Sequence, residues 1–228
     1  MSKIIVIDPG HGGKDAGAVN GLRYEKNDNL RFGLALDKAL KRQGITVYLT
    51  RNKDVDMTLK ARTDFANRMK ADYFIACHRN SFALSTAKGM ETWIYTNADS
   101  NTLRYAQAIQ DELVKVGVQA NRGVKKGNYH VLRETNMAAV LCELNFIKNA
   151  KDNELYDTKF DAYVEAIVIG VCKHCGVTYK AIEKDKPQAK EQLYIWCGGF
   201  DNRTDAEMRY KQIRALPGNP YCEIRTVK

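Results

Sequence analysis

Two of the four histidines in this chain directly follow apolar runs, and an imidazole placed there has chemistry open to it. The run Lys3-Ile4-Ile5-Val6-Ile7-Asp8-Pro9-Gly10 leads into His11, with Gly12-Gly13 behind it, and Tyr73-Phe74-Ile75-Ala76-Cys77 leads into His78. Imidazole serves as a proton carrier or as a metal ligand. Sites in α/β proteins form at the carboxyl ends of sheet strands, so two strands of one parallel sheet would put both rings at one edge. Glu25 lies between them in sequence, just before the first helix, where a loop could bring its carboxylate back over that edge. Two histidines and a carboxylate make a zinc site with one coordination position open. Gly12 and Gly13 permit a tight turn and leave room for a ligand or metal. The competing reading makes His11 a turn residue and His78 a locally satisfied residue at a strand end.

Glu143 is the fourth candidate. It interrupts the apolar run Ala138-Ala139-Val140-Leu141-Cys142-Glu143-Leu144, where a charge is costly unless it is paired or lies near a metal. Alternation along a strand sends Cys142 and Glu143 to opposite faces, so one can pack while the other points to a site. The chemical reading is a general base acting on a metal-activated water. The plainer one is a strand-end carboxylate that reaches solvent or a salt bridge. Cys172-Lys173-His174-Cys175 also holds ligand types, but no second pair lies nearby and Gly176 closes a helical pattern there. It reads as helix, not as a metal site.

The elements that position these residues follow from periodicity. Helical spacing marks 27–43, 58–69, 101–116 and about 159–175, with Thr58 as a helix cap and Gly44 and Gly176 as stops. Short apolar runs mark strands at 3–7, 46–50, 73–77, 89–96 and 138–144. Strands alternating with helices predict an α/β fold, a mixed, mostly parallel sheet flanked by helices on both faces.

Among 228 residues, 44% are hydrophobic and 28% charged, enough for one ordinary core plus an appendage. No run approaches the roughly 20 apolar residues that span a bilayer. The net charge of +9 favours a polyanionic partner: nucleic acid, an anionic membrane surface or an anionic wall polymer. Six cysteines stand at 77, 142, 172, 175, 197 and 222. Cys77 and Cys142 lie inside apolar runs, so reduced, core-packing thiols are expected in place of a disulfide frame.

Residues 178–191 are charged, contain Pro187 and read as a linker between a catalytic domain over 1–177 and a βαβ module over 192–228. A unit that small cannot bury a stable core alone. Pairing with a second copy in a homodimer is the expected remedy.

The ordered set Ile7-Asp8-Pro9-Gly10-His11-Gly12-Gly13, Asp15-Ala16-Gly17-Ala18, Glu25, Cys77-His78-Arg79-Asn80-Ser81 and Val140-Leu141-Cys142-Glu143-Leu144-Asn145-Phe146-Ile147-Lys148-Asn149 resembles the zinc-dependent N-acetylmuramoyl-L-alanine amidases of the amidase 3 type. The resemblance covers about residues 3–175. It implies His11, Glu25 and His78 as zinc ligands, Glu143 as the catalytic carboxylate and peptidoglycan, not nucleic acid, as the partner. Asn80 and Arg133 adjoin the motif residues and are candidates for orienting substrate. Only ten residues separate His78 from Gly89, leaving no room for the blocking helix that some members carry there. A further likeness, Leu193-Tyr194-Ile195-Trp196-Cys197-Gly198-Gly199-Phe200 followed by Asn202-Arg203-Thr204-Asp205-Ala206-Glu207, resembles half of a SPOR-type wall-binding repeat.

With no export signal ahead of the first strand, the expected setting is a phage or prophage endolysin, cytoplasmic as made and acting on the wall after release. A sporulation amidase of mother-cell lysis is the alternative. A zinc peptidase cutting within the stem peptide and a non-enzymatic wall- or nucleic-acid-binding protein are the rival classes.

Overall fold

The computed structural model describes residues 3–182 together with Thr204 and Glu207. In chain order the elements are β1 (Ile4–Pro9), β2 (Val19–Asn20), β3 (Arg23–Tyr24), α1 (Glu25–Arg42), β4 (Thr46–Leu49), α2 (Leu59–Arg68) and β5 (Tyr73–Asn80). They continue with β6 (Met90–Tyr95), α3 (Ser100–Val116), β7 (Asn121–Gly127), α4 (His130–Arg133), β8 (Ala138–Phe146), α5 (Ala150–Thr158) and α6 (Phe160–Cys175). One six-stranded sheet runs β4-β1-β5-β8-β6-β7, and β2 and β3 form a separate small hairpin. All neighbours in the large sheet are parallel except β6 and β8, which run antiparallel. The mixed, mostly parallel sheet expected from the sequence is what forms.

Alternation along the central strands sorts side chains to two apolar layers. Ile5, Ile7, Ile75, Cys77, Val140 and Cys142 pack with Phe32 and Leu36 of α1, Ile109 of α3 and Ile167 of α6. On the other face Val6, Phe74, Ala76 and Leu141 meet Ala66 of α2 and Val131 and Leu132 of α4. Full burial of one such Ile or Leu contributes about 1.5–3 kcal/mol. Glu143, two residues beyond Leu141, shares the thinner second layer, while Cys142 is sealed into the first. The two residues diverge as alternation requires.

Thr58 caps α2 as expected, its Oγ accepting from the Ala61 amide at 3.1 Å. Two boundaries and one missed strand differ from expectation in ways that bear on the site. Glu25 is the first residue of α1 and not part of a loop before it. His78 lies inside β5, which runs on to Asn80 with a bulge between the two. Periodicity also missed β7, whose Asn121-Arg122-Gly123-Val124-Lys125-Lys126-Gly127 carries no apolar alternation because it is an edge strand.

Residues 1–180 form one compact unit and the remainder a second. Positions 178–180, expected to open the linker, are instead bound to the first unit. The Tyr179 hydroxyl donates to Glu165 at 2.5 Å, and the Lys180 amide donates to Gln43 at 2.6 Å. The rest of the expected linker and the βαβ module lie outside the described residues, apart from Ala181, Ile182, Thr204 and Glu207; the last two are helical. Cys77, Cys142, Cys172 and Cys175 are free thiols.

Candidate metal centre

His11 stands two residues past the end of β1, in the left-handed region at φ 60°, a backbone state uncommon for a residue with a β-carbon. Its Nδ1 is 2.7 Å from Asp15 Oδ2, which leaves Nε2 facing Glu25 Oε1 at 3.3 Å. His78 brings its Nδ1 to the same oxygen at 3.0 Å. The two rings meet edge-on with centroids 4.9 Å apart. One ligand atom from each of His11, Glu25 and His78 lies within 4.8 Å of the others, and among the described residues this is the one such group of three.

Local structure explains the convergence. The β2–β3 hairpin turns the chain so that the Glu25 amide donates to Ala18 O at 2.9 Å and α1 begins beside β1. Glu25 thus sits at a helix N-terminus, where the macrodipole favours a carboxylate. Its Oε2 accepts from the Ala18 amide at 2.9 Å, and Oε1 accepts from the Arg79 amide at 3.1 Å and from Asn29 Nδ2 at 3.2 Å. The glycines that make room are not the expected pair. A β-carbon on Gly10 would collide with the His78 ring, and one on Gly17 would lie 2.7 Å from His11 Cδ2 and 2.8 Å from Glu25 Oε2. Gly12 and Gly13 pack instead against Val55 and Asp56.

The charges show how strongly the three side chains are coupled to one another. Burial alone would lower the His11 pKa, but the Glu25 and Asp15 carboxylates outweigh it and hold the ring up at about 9. Burial acts on His78 in the same sense and is likewise outweighed, by Glu25 and Glu143. The two imidazoles in turn overcome burial at Glu25 and hold its carboxyl far below the usual range. Two ring nitrogens and one carboxylate oxygen converging on one point suit zinc. Asp15 on the far nitrogen of His11 is the kind of partner that fixes a ligating ring's tautomer and direction.

Glu143 pairs in register with His78 across β5 and β8, and with Glu91 across β8 and β6. Burial pushes its carboxyl up to about 7. Its Oε2 is buried with no hydrogen-bond partner among the described residues, as a base awaiting a proton donor from substrate or water would be. Asn80 is near but committed: its Nδ2 donates to Glu91 at 2.8 Å. Arg133 spends its guanidinium on Glu134 at 2.7 Å and Asn128 at 2.6 Å, and none of its hydrogen bonds reaches the centre. His174 packs edge-on against Tyr73 with ring centroids 5.4 Å apart, in keeping with a helix-packing role for that segment.

Several supporting residues were not singled out from the sequence. Arg51 and Arg62, both 3% exposed, bind the carbonyls around His11. Glu91 accepts from Arg122 and Lys125 at 2.5 Å each, from Asn80 and from Trp93 Nε1 at 3.1 Å. A signal was present at Arg51, which follows a strand end as His11 does. Glu91 gave none beyond a charge at the start of a strand.

The family described as N-acetylmuramoyl-L-alanine amidase, amidase 3, matches residues 5–173 of the chain. The chain is 40% identical to the N-acetylmuramoyl-L-alanine amidase CwlM of Bacillus licheniformis over 92% of its own length and 81% of CwlM. To the sporulation-specific N-acetylmuramoyl-L-alanine amidase of Bacillus subtilis strain 168 it is 34% identical, over 89% of its length and 77% of that protein. The crystal structure of the N-acetylmuramoyl-L-alanine amidase from Clostridium difficile 630 superposes with a TM-score of 0.74 at 35% identity, covering 77% of this chain and 97% of that one. Fold, match and site together place the chain in the amidase 3 family of N-acetylmuramoyl-L-alanine amidases.

Proposed function

We propose that this peptidoglycan amidase is zinc-dependent, with His11, Glu25 and His78 holding the metal and Glu143 as the catalytic carboxylate. The bond cut is the amide between the lactyl group of N-acetylmuramic acid and the first L-alanine of the stem peptide. The observation that carries this reading is the convergence of three ligand atoms beside a half-buried glutamate whose buried Oε2 has no hydrogen-bond partner among the described residues. Bound zinc supplies Lewis-acid chemistry, polarising a carbonyl and bringing the pKa of water to about 7. Glu143 accepts the proton of the attacking water as its oxygen adds to the amide carbon. Glu143 then returns that proton to the departing nitrogen as the C–N bond breaks, leaving a lactyl carboxylate and the amine of L-alanine. Asp15 keeps His11 in one tautomer, and Arg79 and Asn29 hold the Glu25 carboxylate in place.

Mass spectrometry of digested peptidoglycan, with and without chelator, tests bond and metal together. Stem peptides with a free L-alanine amine are expected from the enzyme alone. New amines within the stem would make the protein a peptidase instead, and unchanged release in chelator would exclude metal dependence.

The proposed setting is wall lysis as an endolysin, made in the cytoplasm and released to the wall. The likeness to the sporulation-specific amidase of Bacillus subtilis favours a second setting, wall hydrolysis in sporulation. A holin gene beside this one would support the first, and expression confined to sporulation the second. Residues 192–228 are proposed as a SPOR-like wall-binding or dimerisation module, for which light scattering on the full chain reads the homodimer.

A further inference from the structure

The buried guanidinium of Arg51 is satisfied entirely by main-chain carbonyls. Its Nε donates to Pro9 O at 2.8 Å, Nη1 to Lys53 O at 3.3 Å, and Nη2 to both Gly10 O at 2.9 Å and Lys26 O at 2.8 Å. The neighbouring Arg62 has a carboxylate partner, Asp8 at 2.7 Å, whereas no carboxylate lies within ion-pair distance of Arg51 among the described residues. The Asp8, Asp54 and Asp15 carboxylates act on it only from beyond ion-pair distance, and a cation taken out of water with no direct ion-pair partner is costly.

The carbonyls it binds explain the expense. Gly10 immediately precedes His11, and Lys26 immediately follows Glu25, so one nitrogen of Arg51 joins the two segments that carry two of the three ligands. Gly10 is also the residue against which the His78 ring rests. The backbone at His11 is held at φ 60° with its carbonyl bound by Arg62 Nη2 at 2.8 Å. A segment in that conformation persists only where its surroundings over-determine it. Nη2 spans the two segments while Nε holds Pro9 O beside them; the lysine ammonium, a point charge on a flexible stem, does not reproduce this fixed spread of donors.

We propose that Arg51 is a positioning residue that pre-forms the metal centre, so that its hydrogen bonds set metal affinity although it touches no ligand side chain. This rests on the reading of His11, Glu25 and His78 as the metal ligands. Loss of a partner in the shell around metal ligands typically weakens affinity about 10–100-fold, and that is the effect expected here.

The test uses the full chain, zinc as the probe and a competing chromophoric chelator to read Kd. Arg51→Lys and Arg51→Met are compared with Val171→Ala, a core truncation in α6 away from the centre. Melting of each metal-free protein is followed in parallel. Both Arg51 variants are expected to melt cooperatively and to bind zinc about 10–100-fold more weakly, while Val171→Ala melts lower with the parent Kd. Parent-like Kd in the Arg51 variants would overturn the proposal. So would an equal loss in Val171→Ala, or absence of a cooperative melt in both Arg51 variants, which would make Arg51 a folding residue. If the parent protein itself takes up no zinc, the reading of the metal centre fails first, and the two failures are told apart by that control.

Discussion

Glu143 and His11 carry opposite burdens, and each yields a measurable consequence. Glu143 is half-buried opposite His78, with its buried Oε2 unbonded among the described residues, so Glu143→Ala is expected to keep zinc and to lose about 10²–10⁴-fold in wall hydrolysis. Metal analysis of the purified variant alongside dye-release from labelled wall checks both halves. His11→Ala, by contrast, is expected to purify without metal. In the metal-free protein the His11 pKa is raised from 6.5 to about 9 because the Glu25 and Asp15 carboxylates outweigh burial. A raised folded-state pKa stabilises fully below the unfolded value, and that stabilisation is lost as pH rises through about 9. The chelator-treated protein is therefore expected to melt at a lower temperature at pH 10 than at pH 7. Zinc uptake at pH 7 is expected to release the proton of His11, a release that calorimetry in buffers of different ionisation enthalpy reads directly. Uptake with no proton release would contradict the protonation of His11 that the Glu25 and Asp15 carboxylates impose.

Elements explain why these residues arrive together. β1 and β5 are neighbours in register, Pro9 opposite Cys77, so the chain leaving β1 passes directly over His78. Gly10 is the contact point, and the Gly10 amide donates to Cys77 O at 3.0 Å. A methyl there would drive the His78 ring aside, so Gly10→Ala is expected to abolish zinc binding while the far-UV spectrum stays that of the parent. Retention of tight zinc would show that the strands can separate at no cost. Sequence reading found β1, β5 and β8 because each is a short unbroken apolar run, and α1, α2, α3 and α6 because each repeats an apolar period near four. It missed β7 and α5 for the complementary reason. β7 is an edge strand with polar faces, and α5 buries only Asp152 and Tyr156. Without β7 there was no way to see that Arg122 and Lys125 converge on Glu91, the cross-strand neighbour of Glu143.

For the whole molecule, the large sheet separates a thick apolar layer under α1, α3 and α6 from a thinner one under α2 and α4. Cys77 and Cys142 belong to the thick layer and are fully buried. Burial pushes the Cys142 thiol up to about 12 and Cys77 well above its ordinary value. Thiolate is the reactive form, so native labelling with iodoacetamide followed by peptide mapping is expected to leave both unmodified until guanidinium unfolds the chain. Early labelling of either would mean that the sheet opens locally well below the global transition.

Local pattern by itself determined where strands and helices begin to within a few residues, and that His11, His78 and Glu143 accompany three strands in an order shared with a known family; it ended β5 and β8 too early, since His78 and Glu143 lie inside strands that run on to Asn80 and Phe146. Those properties are written in spacing of two and of three to four residues, which each segment carries alone. Tertiary structure decided the rest. Glu25 meets His78 across 53 residues, and Arg51 reaches Gly10 across 41. Such pairs depend on strand order and register, which arise only when the sheet assembles and side chains compete for the space at its edge. The same competition placed the room-making glycines at 10 and 17 and put Glu25 on the first turn of a helix. No period in the sequence marks a carbonyl that a distant arginine will bind.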